Sequence, residues 1–359
     1  MAQVCTWLEA GFDSLRFAYR RRGDLGAEAE DGDLVNYERS AVVVVATYKR
    51  PDHVRKCLEH IRAQTRQPQR VVVVDASPDS LTKTVAEEFP EVDYRRNDLG
   101  VGTLAASRAI GIQGATEDII AFIDDDAYAE PEWLAEILRA FEAPGVGAVG
   151  GRADNNRPGE ELEGWDRIGR FLPDGTLTGN FGADPGRIVE TDHMLGANMS
   201  VRTDALRAIG GIHDYYPGTC LREDSDLALR VKLAGYRVVF APRAVVLHVA
   251  GEYAKGKRFD LRYRFYAARN HILLLTTVLG WRDPHLLRHI ARMMRVAGRE
   301  MWAGMTGIAT KPTVRAKIRR FGGGFARAGA DLVGTCVGLS ASLKPNNRAK
   351  SVSSEWVAS

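Results

Sequence analysis

The sequence predicts an α/β fold: a mainly parallel sheet with helices on both faces, followed by a basic helical carboxyl-terminal region. Two observations predict it. Short apolar, β-branched runs alternate with helix-spaced segments, and charge is divided sharply along the chain. The run AVVVVA at 41–46 reads as a buried strand that closes on the polar Thr47, Tyr48, Lys49 and Arg50. Val54, Cys57, Leu58 and Ile61 follow at helical spacing, and the valines at 71–74 form a second strand closing on Asp75, Ala76 and Ser77. A helix near 80–88, a strand near 92–95, a small-residue helix near 103–113 and a strand at 119–123 continue the alternation. That last strand closes on Asp124, Asp125 and Asp126. Ligands bind beyond the carboxyl ends of parallel strands, so these three polar endings are expected on one rim.

Further along, Pro131 suits a first helical turn, and Trp133, Leu134, Ile137, Leu138 and Phe141 continue an amphipathic helix. Residues 151–187 are polar and glycine-rich and read as a long loop or small insertion. Residues 191–201 read as extended, 223–233 as a helix, and 236–249 as one or two strands broken by Pro242. From 262 to 299 arginines interleave with Phe265, Leu273, Leu274, Leu287, Ile290 and Met294 at helical spacing. The longest apolar stretch, 272–280, falls well short of the roughly 20 residues that span a bilayer. The expected organisation is an amino-terminal extension (1–40), an α/β domain (41–250, divided at 127/128), a basic helical region (251–345) and a disordered tail (346–359).

Composition narrows the class. With 359 residues, 45% of them hydrophobic and 26% charged, the chain buries a sizeable core and is not disordered. Cys5, Cys57, Cys220 and Cys336 form no CxxC pair, which argues against a zinc knuckle or disulfide framework. The amino terminus shows no apolar signal run, and the expected location is the cytoplasm. The overall charge of +3 conceals −11 over residues 1–250 and +15 over 251–350, so the last third suits an anionic surface. Peripheral contact with the inner face of the cytoplasmic membrane, packing alone, or a homodimer contact all remain open for it.

Three adjacent acids at a strand end repel one another unless they share a cation or are fully solvated. Their position after the apolar 119–123 run favours a divalent, oxygen-preferring metal, Mn2+ or Mg2+. At this point the chain resembles the inverting, metal-dependent glycosyltransferases of family 2, with their Rossmann-like GT-A fold, over roughly 41–250. The resemblance rests on ordered motifs: VVATYKRP, VVVDAS, SRAIGI, FIDDDA, LGANMS, REDSDL and VLH. It implies transfer of one sugar from a nucleoside-diphosphate donor, with UDP or dTDP favoured and GDP compatible. Asp126 and His248 match its metal ligands; Thr47, Asp75, Arg108, Asp124 and Asp125 match donor-binding positions. Asp224 matches the general base, while Gly196, Ala197, Asn198 and Glu223 fall on the acceptor side. Ala76-Ser77 departs from the family's usual acid or Asn followed by Gly, which leaves the donor base less defined. The Gln-x-x-Arg-Trp motif of processive synthases is absent, so a single addition is expected. The acceptor is a lipid-linked glycan or a soluble aglycone. The competing readings are a nucleotidyltransferase, which would need a basic glycine-rich phosphate loop after the first strand, and a nucleic-acid-binding protein using the basic third; no nucleic-acid motif supports the latter.

Overall fold

A computed structural model describes residues 39–155, 164–249, 260–307 and 313–358. Its centre is one nine-stranded sheet: β1 (Ala41–Thr47), β2 (Arg70–Asp75), β3 (Val92–Arg96), β4 (Ile119–Asp124), β5 (Ala127–Ala129), β6 (Val146–Asp154), β7 (Val189–Glu190), β8 (Asn198–Arg202) and β9 (Arg237–His248). The strand order is β3-β2-β1-β4-β8-β6-β9-β5, with β7 added against β9. Strands β1, β2, β3 and β4 run parallel, as do β6 and β9, while β8 is antiparallel to both β4 and β6. Thr47 lies beside Asp75, and Ala46 beside Asp124, so the expected common rim is present.

The valine runs are continuous because both faces are covered. Val43, Val45 and Val73 point to one core with α1 (Pro51–Arg62) and α4 (Trp133–Ala140). Val42, Val44, Val72 and Val74 point to the other, shared with α3 (Leu104–Gly111), α5 (Thr203–Ala208) and α6 (Glu223–Leu233). A short helix, α2 (Leu81–Ala86), links β2 to β3.

The structure sharpens several boundaries. β9 is one strand, and Pro242 is absorbed by a register shift: Gly151 faces Ala241, but Arg152 faces Val245. β6 continues to Asp154, into the segment expected as loop. Of the extended run 191–201, only the part from Asn198 onward is strand; the preceding residues turn back on Gly169, whose carbonyl accepts from the N–H of Asp192 and of His193.

The carboxyl-terminal region is helical, as expected. It comprises α7 (Leu261–Leu274), running into a π-helical turn at Leu275–Leu279, then α8 (Pro284–Thr306) and α9 (Val314–Ser342). Asp260, Asp283 and Thr313 cap the three helices by accepting backbone N–H bonds. α8 meets α9 at Gly304 and Gly324, where a Cβ on Gly324 would lie 2.5 Å from the Glu300 carbonyl oxygen. No helix among the described residues is long and apolar enough to cross a membrane.

One expectation is corrected. The tail does not stay disordered: residues from Lys350 to Ala358 form α10, and Trp356 (2% exposed) and Ala349 join the second core. The serine- and asparagine-rich composition conceals this, because a few apolar side chains, Ala349, Val352, Trp356 and Val357, suffice once Asn347, Arg348 and Ser353 find polar partners on the 212–214 segment. Residues 1–38 of the expected amino-terminal extension, and the expected boundary near 250, lie outside the described residues.

Candidate active site

The carboxyl ends of β1, β2 and β4 open into a cleft of about 210 Å³ whose walls include Thr47, Tyr48, Ala76, Asp124, Asp125 and the 100–104 segment. Beside it, Asp124, Asp126 and His248 converge, each offering one ligand atom, all within 4.8 Å of one another. Pairing of Ala127 with His248 in the β5–β9 ladder brings the histidine there, with Nε2 3.3 Å from an Asp126 oxygen.

Asp125 points elsewhere. Its carboxylate accepts from Thr47 Oγ1 (2.7 Å) and from Arg50 (3.0 Å), and Arg50 donates equally to Asp126 (3.0 Å). Burial pushes the Asp125 carboxyl up to about 7, with the Asp126 and Asp124 charges adding to it and Arg50 and Thr47 opposing. Burial likewise raises the Asp124 carboxyl, against the pull of Arg108. So much carboxylate with so little water favours an added cation.

Arg108, 1% exposed, ties the two sides of the site together. Its guanidinium donates to Asp124 (2.9 Å), to the Gly196 carbonyl (2.7 Å) and to Glu223. Burial pushes the Glu223 carboxyl upward and Arg108 draws it back, so the pair is held by contact in a dry interior. Beyond Glu223, Asp224 is half-buried in the first turn of α6. Its two oxygens accept from the N–H of Gly196 (3.0 Å) and of Ser225 (2.6 Å). The chain enters α6 through Arg222, whose φ of 88° is left-handed and turns Glu223 and Asp224 to different partners. Asp226 has a third role: fully buried, it accepts from Tyr216 (2.7 Å) and Arg230 (2.5 Å) and is structural.

Other expected site residues sit behind the surface. Asp75 is fully buried, accepts from Tyr94 (2.9 Å) and from the Ser77 N–H (2.8 Å), and so anchors the turn that presents Ala76 to the cleft. Ala197 is buried, and so is Asn198 at the start of β8. Its amide accepts from Trp133 Nε1 and donates to the carbonyls of Arg152 and Ala244, leaving it no group for a sugar. Sequence reasoning gives no role to Arg50, Ser225 or His193. Arg50 stands in the same strand ending as Thr47, which is its one signal. His193, whose Nε2 is 2.7 Å from the Thr178 carbonyl and whose Nδ1 is 3.3 Å from Ser225 Oγ, is brought behind Asp224 only by the fold.

Comparison with known proteins agrees with this geometry. Residues 42–208 match the model of glycosyl transferase family 2. The chain is 29% identical over 231 residues to a glucosyl-dolichyl phosphate glucuronosyltransferase of Haloferax volcanii, covering 59% of this chain and 69% of that protein. It is 36% identical over 107 residues to the putative glycosyltransferase EpsH of Bacillus subtilis, covering 27% of this chain and 29% of EpsH. In fold it is similar to GalNAc-T7, solved with UDP, GalNAc and Mn2+, with a TM-score of 0.54, 14% identity, and coverage of 73% of this chain and 51% of that one. Through its sheet, its rim and residues 42–208, the chain is similar to the family 2 glycosyltransferases of GT-A fold.

Proposed function

We propose that the protein moves one sugar from a nucleoside-diphosphate donor to an acceptor hydroxyl with inversion, Asp224 acting as general base. The observation that carries this reading is the Arg108 bridge, which links Asp124 on the donor side to Gly196 and Glu223 beside Asp224. An inverting displacement needs a carboxylate opposite the departing diphosphate and within reach of the attacking hydroxyl. The backbone N–H groups of Gly196 and Ser225 fix the Asp224 carboxylate, so its free lone pairs can take the hydroxyl proton. Thr47 and Arg50 hold Asp125 at the cleft wall, and Arg108 keeps the acceptor-side turn in register with β4.

Asp124, Asp126 and His248 fit a divalent cation: two carboxylate oxygens and an imidazole nitrogen converge, and the imidazole favours Mn2+ over Mg2+. When bound there, such a cation supplies charge neutralisation to a diphosphate leaving group. Calorimetric titration of UDP, dTDP and GDP with Mn2+ and then with EDTA tests the reading. Binding of one diphosphate that EDTA abolishes is expected, and binding indifferent to metal would remove the trio from this role. The anomeric configuration of the product, read by NMR, decides inversion.

The acceptor side of this proposal is a lipid-linked glycan met at an anionic membrane surface. Leu287, Met294, Trp302 and Met305 recur on one stripe of α8 and are 43–70% exposed. Glu300 and Asp331, the acids within α8 and α9, are both ion-paired to Arg264, whereas Arg295, Arg299, Arg315 and Arg319 are exposed. A basic face beside an apolar stripe is the pattern of an interfacial helix. Co-sedimentation with vesicles containing phosphatidylglycerol but not with pure phosphatidylcholine is expected. Concentration-dependent dimerisation without vesicle binding would assign the face to a second copy instead.

A further inference from the structure

We infer that Arg348, in the carboxyl-terminal tail, is a positioning residue for the donor cleft. The inference rests on the reading of that cleft as the nucleotide site and adds to it a strap from the far end of the chain. The wall formed by residues 100–104 has little to hold it. Gly100 and Gly102 adopt φ of 71° and 80°, conformations that side chains resist, and Leu99 and Val101 are exposed. From inside, Thr103 Oγ1 donates to the Gly100 carbonyl (2.5 Å) and accepts from the buried Asn97 amide (2.9 Å). From outside, the Arg348 guanidinium donates to the Gly102 carbonyl (2.9 Å).

Arg348 is itself fixed at three points. The same guanidinium donates to Asp214 (2.6 Å), its N–H donates to the Asp214 carbonyl (3.1 Å), and the neighbouring Asn347 side chain accepts from the Asp214 N–H (2.8 Å). Asp214 is 1% exposed and Trp356, eight residues beyond Arg348, anchors α10, so the strap is rooted in the core rather than laid on the surface. The opposite wall converges on the same spot: a Cβ at Gly102 would face the Gly218 backbone at 3.7 Å, and Gly218 lines the cleft. A charged donor spanning from the core to one carbonyl therefore sets where the 100–104 backbone stands against Gly218, and with it the width of the nucleotide cleft.

The test compares the native chain with Arg348→Ala and Arg348→Lys. The expected result for Arg348→Ala is about tenfold weaker binding of the diphosphate that the native chain takes from UDP, dTDP and GDP in the presence of Mn2+. Amide hydrogen exchange over 99–104 should quicken without ligand, while exchange over β1 and β4 stays unchanged. Arg348→Lys should restore part of both, since its ammonium still donates to Gly102. In turnover, KM for the donor should rise while kcat at saturation changes less than about threefold. Unchanged exchange at 99–104 would overturn the strap, and a fall in kcat without change in donor affinity would overturn its role at the cleft. If the native chain bound none of the three diphosphates, the cleft reading itself would fall, and the exchange data would still decide whether Arg348 orders the segment.

Discussion

The catalytic sheet and the carboxyl-terminal helices handle charge in opposite ways. At the rim, buried Arg108 meets Glu223 and the half-buried Asp124, and Arg50 meets buried Asp125, so opposite charges offset one another by contact. On α8 and α9, arginines and large apolar side chains share the surface, as Arg295, Arg299, Met294 and Trp302 do. Substitution in the first region therefore acts through desolvated charge, where single partners matter; in the second it acts through what the surface meets.

The largest effect should come from the three proposed metal ligands, Asp124, Asp126 and His248. Asp126→Ala is expected to abolish metal-dependent diphosphate binding and product formation, with an unchanged far-UV circular dichroism spectrum; retained binding would break the charge argument at its centre. Asp224→Asn should lower turnover by roughly 10²–10⁴-fold while donor affinity, read by calorimetry, stays within about twofold. Equal loss of affinity would place Asp224 on the donor side.

Arg108→Met sharpens the contrast in stability. It strands Glu223 and Asp124 in a dry site and should cost about 3–5 kcal/mol by urea unfolding, much of it recovered in Arg108→Met with Glu223→Gln. A smaller effect belongs to the seam between the two regions. The rings of His271 and His289 meet at a tilt with centroids 4.2 Å apart, and burial lowers the His289 imidazole to about 4, helped by Arg222 and Arg292. Between an unfolded value near 6.5 and about 4 the unfolded chain binds a proton that the folded chain does not. Stability contributed here is complete above about pH 6.5 and falls as the pH drops toward 4; His289→Phe should flatten that part of the unfolding profile. The smallest effect is expected for Trp302→Ser, within about 0.5 kcal/mol of native stability, even though vesicle binding should drop. A large loss of stability would mean that the exposed stripe is part of a packed interface.

How much of this was legible beforehand depends on the kind of residue. Asp124, Asp126 and His248 stand at strand endings, and endings are readable because apolar runs stop there. Asp224 is readable from its motif. Arg50 shows only its place in the strand ending after Thr47 and His193 shows no local pattern, since their roles depend on partners 75 and 32 residues away. Asn198 misleads for the opposite reason: it belongs to a recognisable motif, yet the fold commits its amide to three interior partners. The tail misleads by composition, because sparse apolar residues look unfolded until a slot exists to receive Trp356.

By itself the sequence determined the alternation of strand and helix, the acids at the rim and the basic character of the last third, because periodicity, strand endings and charge are local properties of a chain. The tertiary structure alone decided that Arg108 joins two sides of one site, that Asp125 turns away from the other two acids, and that Arg348 reaches back 246 residues to Gly102. Those arrangements depend on which buried group finds which partner, and the cost of leaving a buried charge or carbonyl unpaired is resolved only when the whole chain is packed.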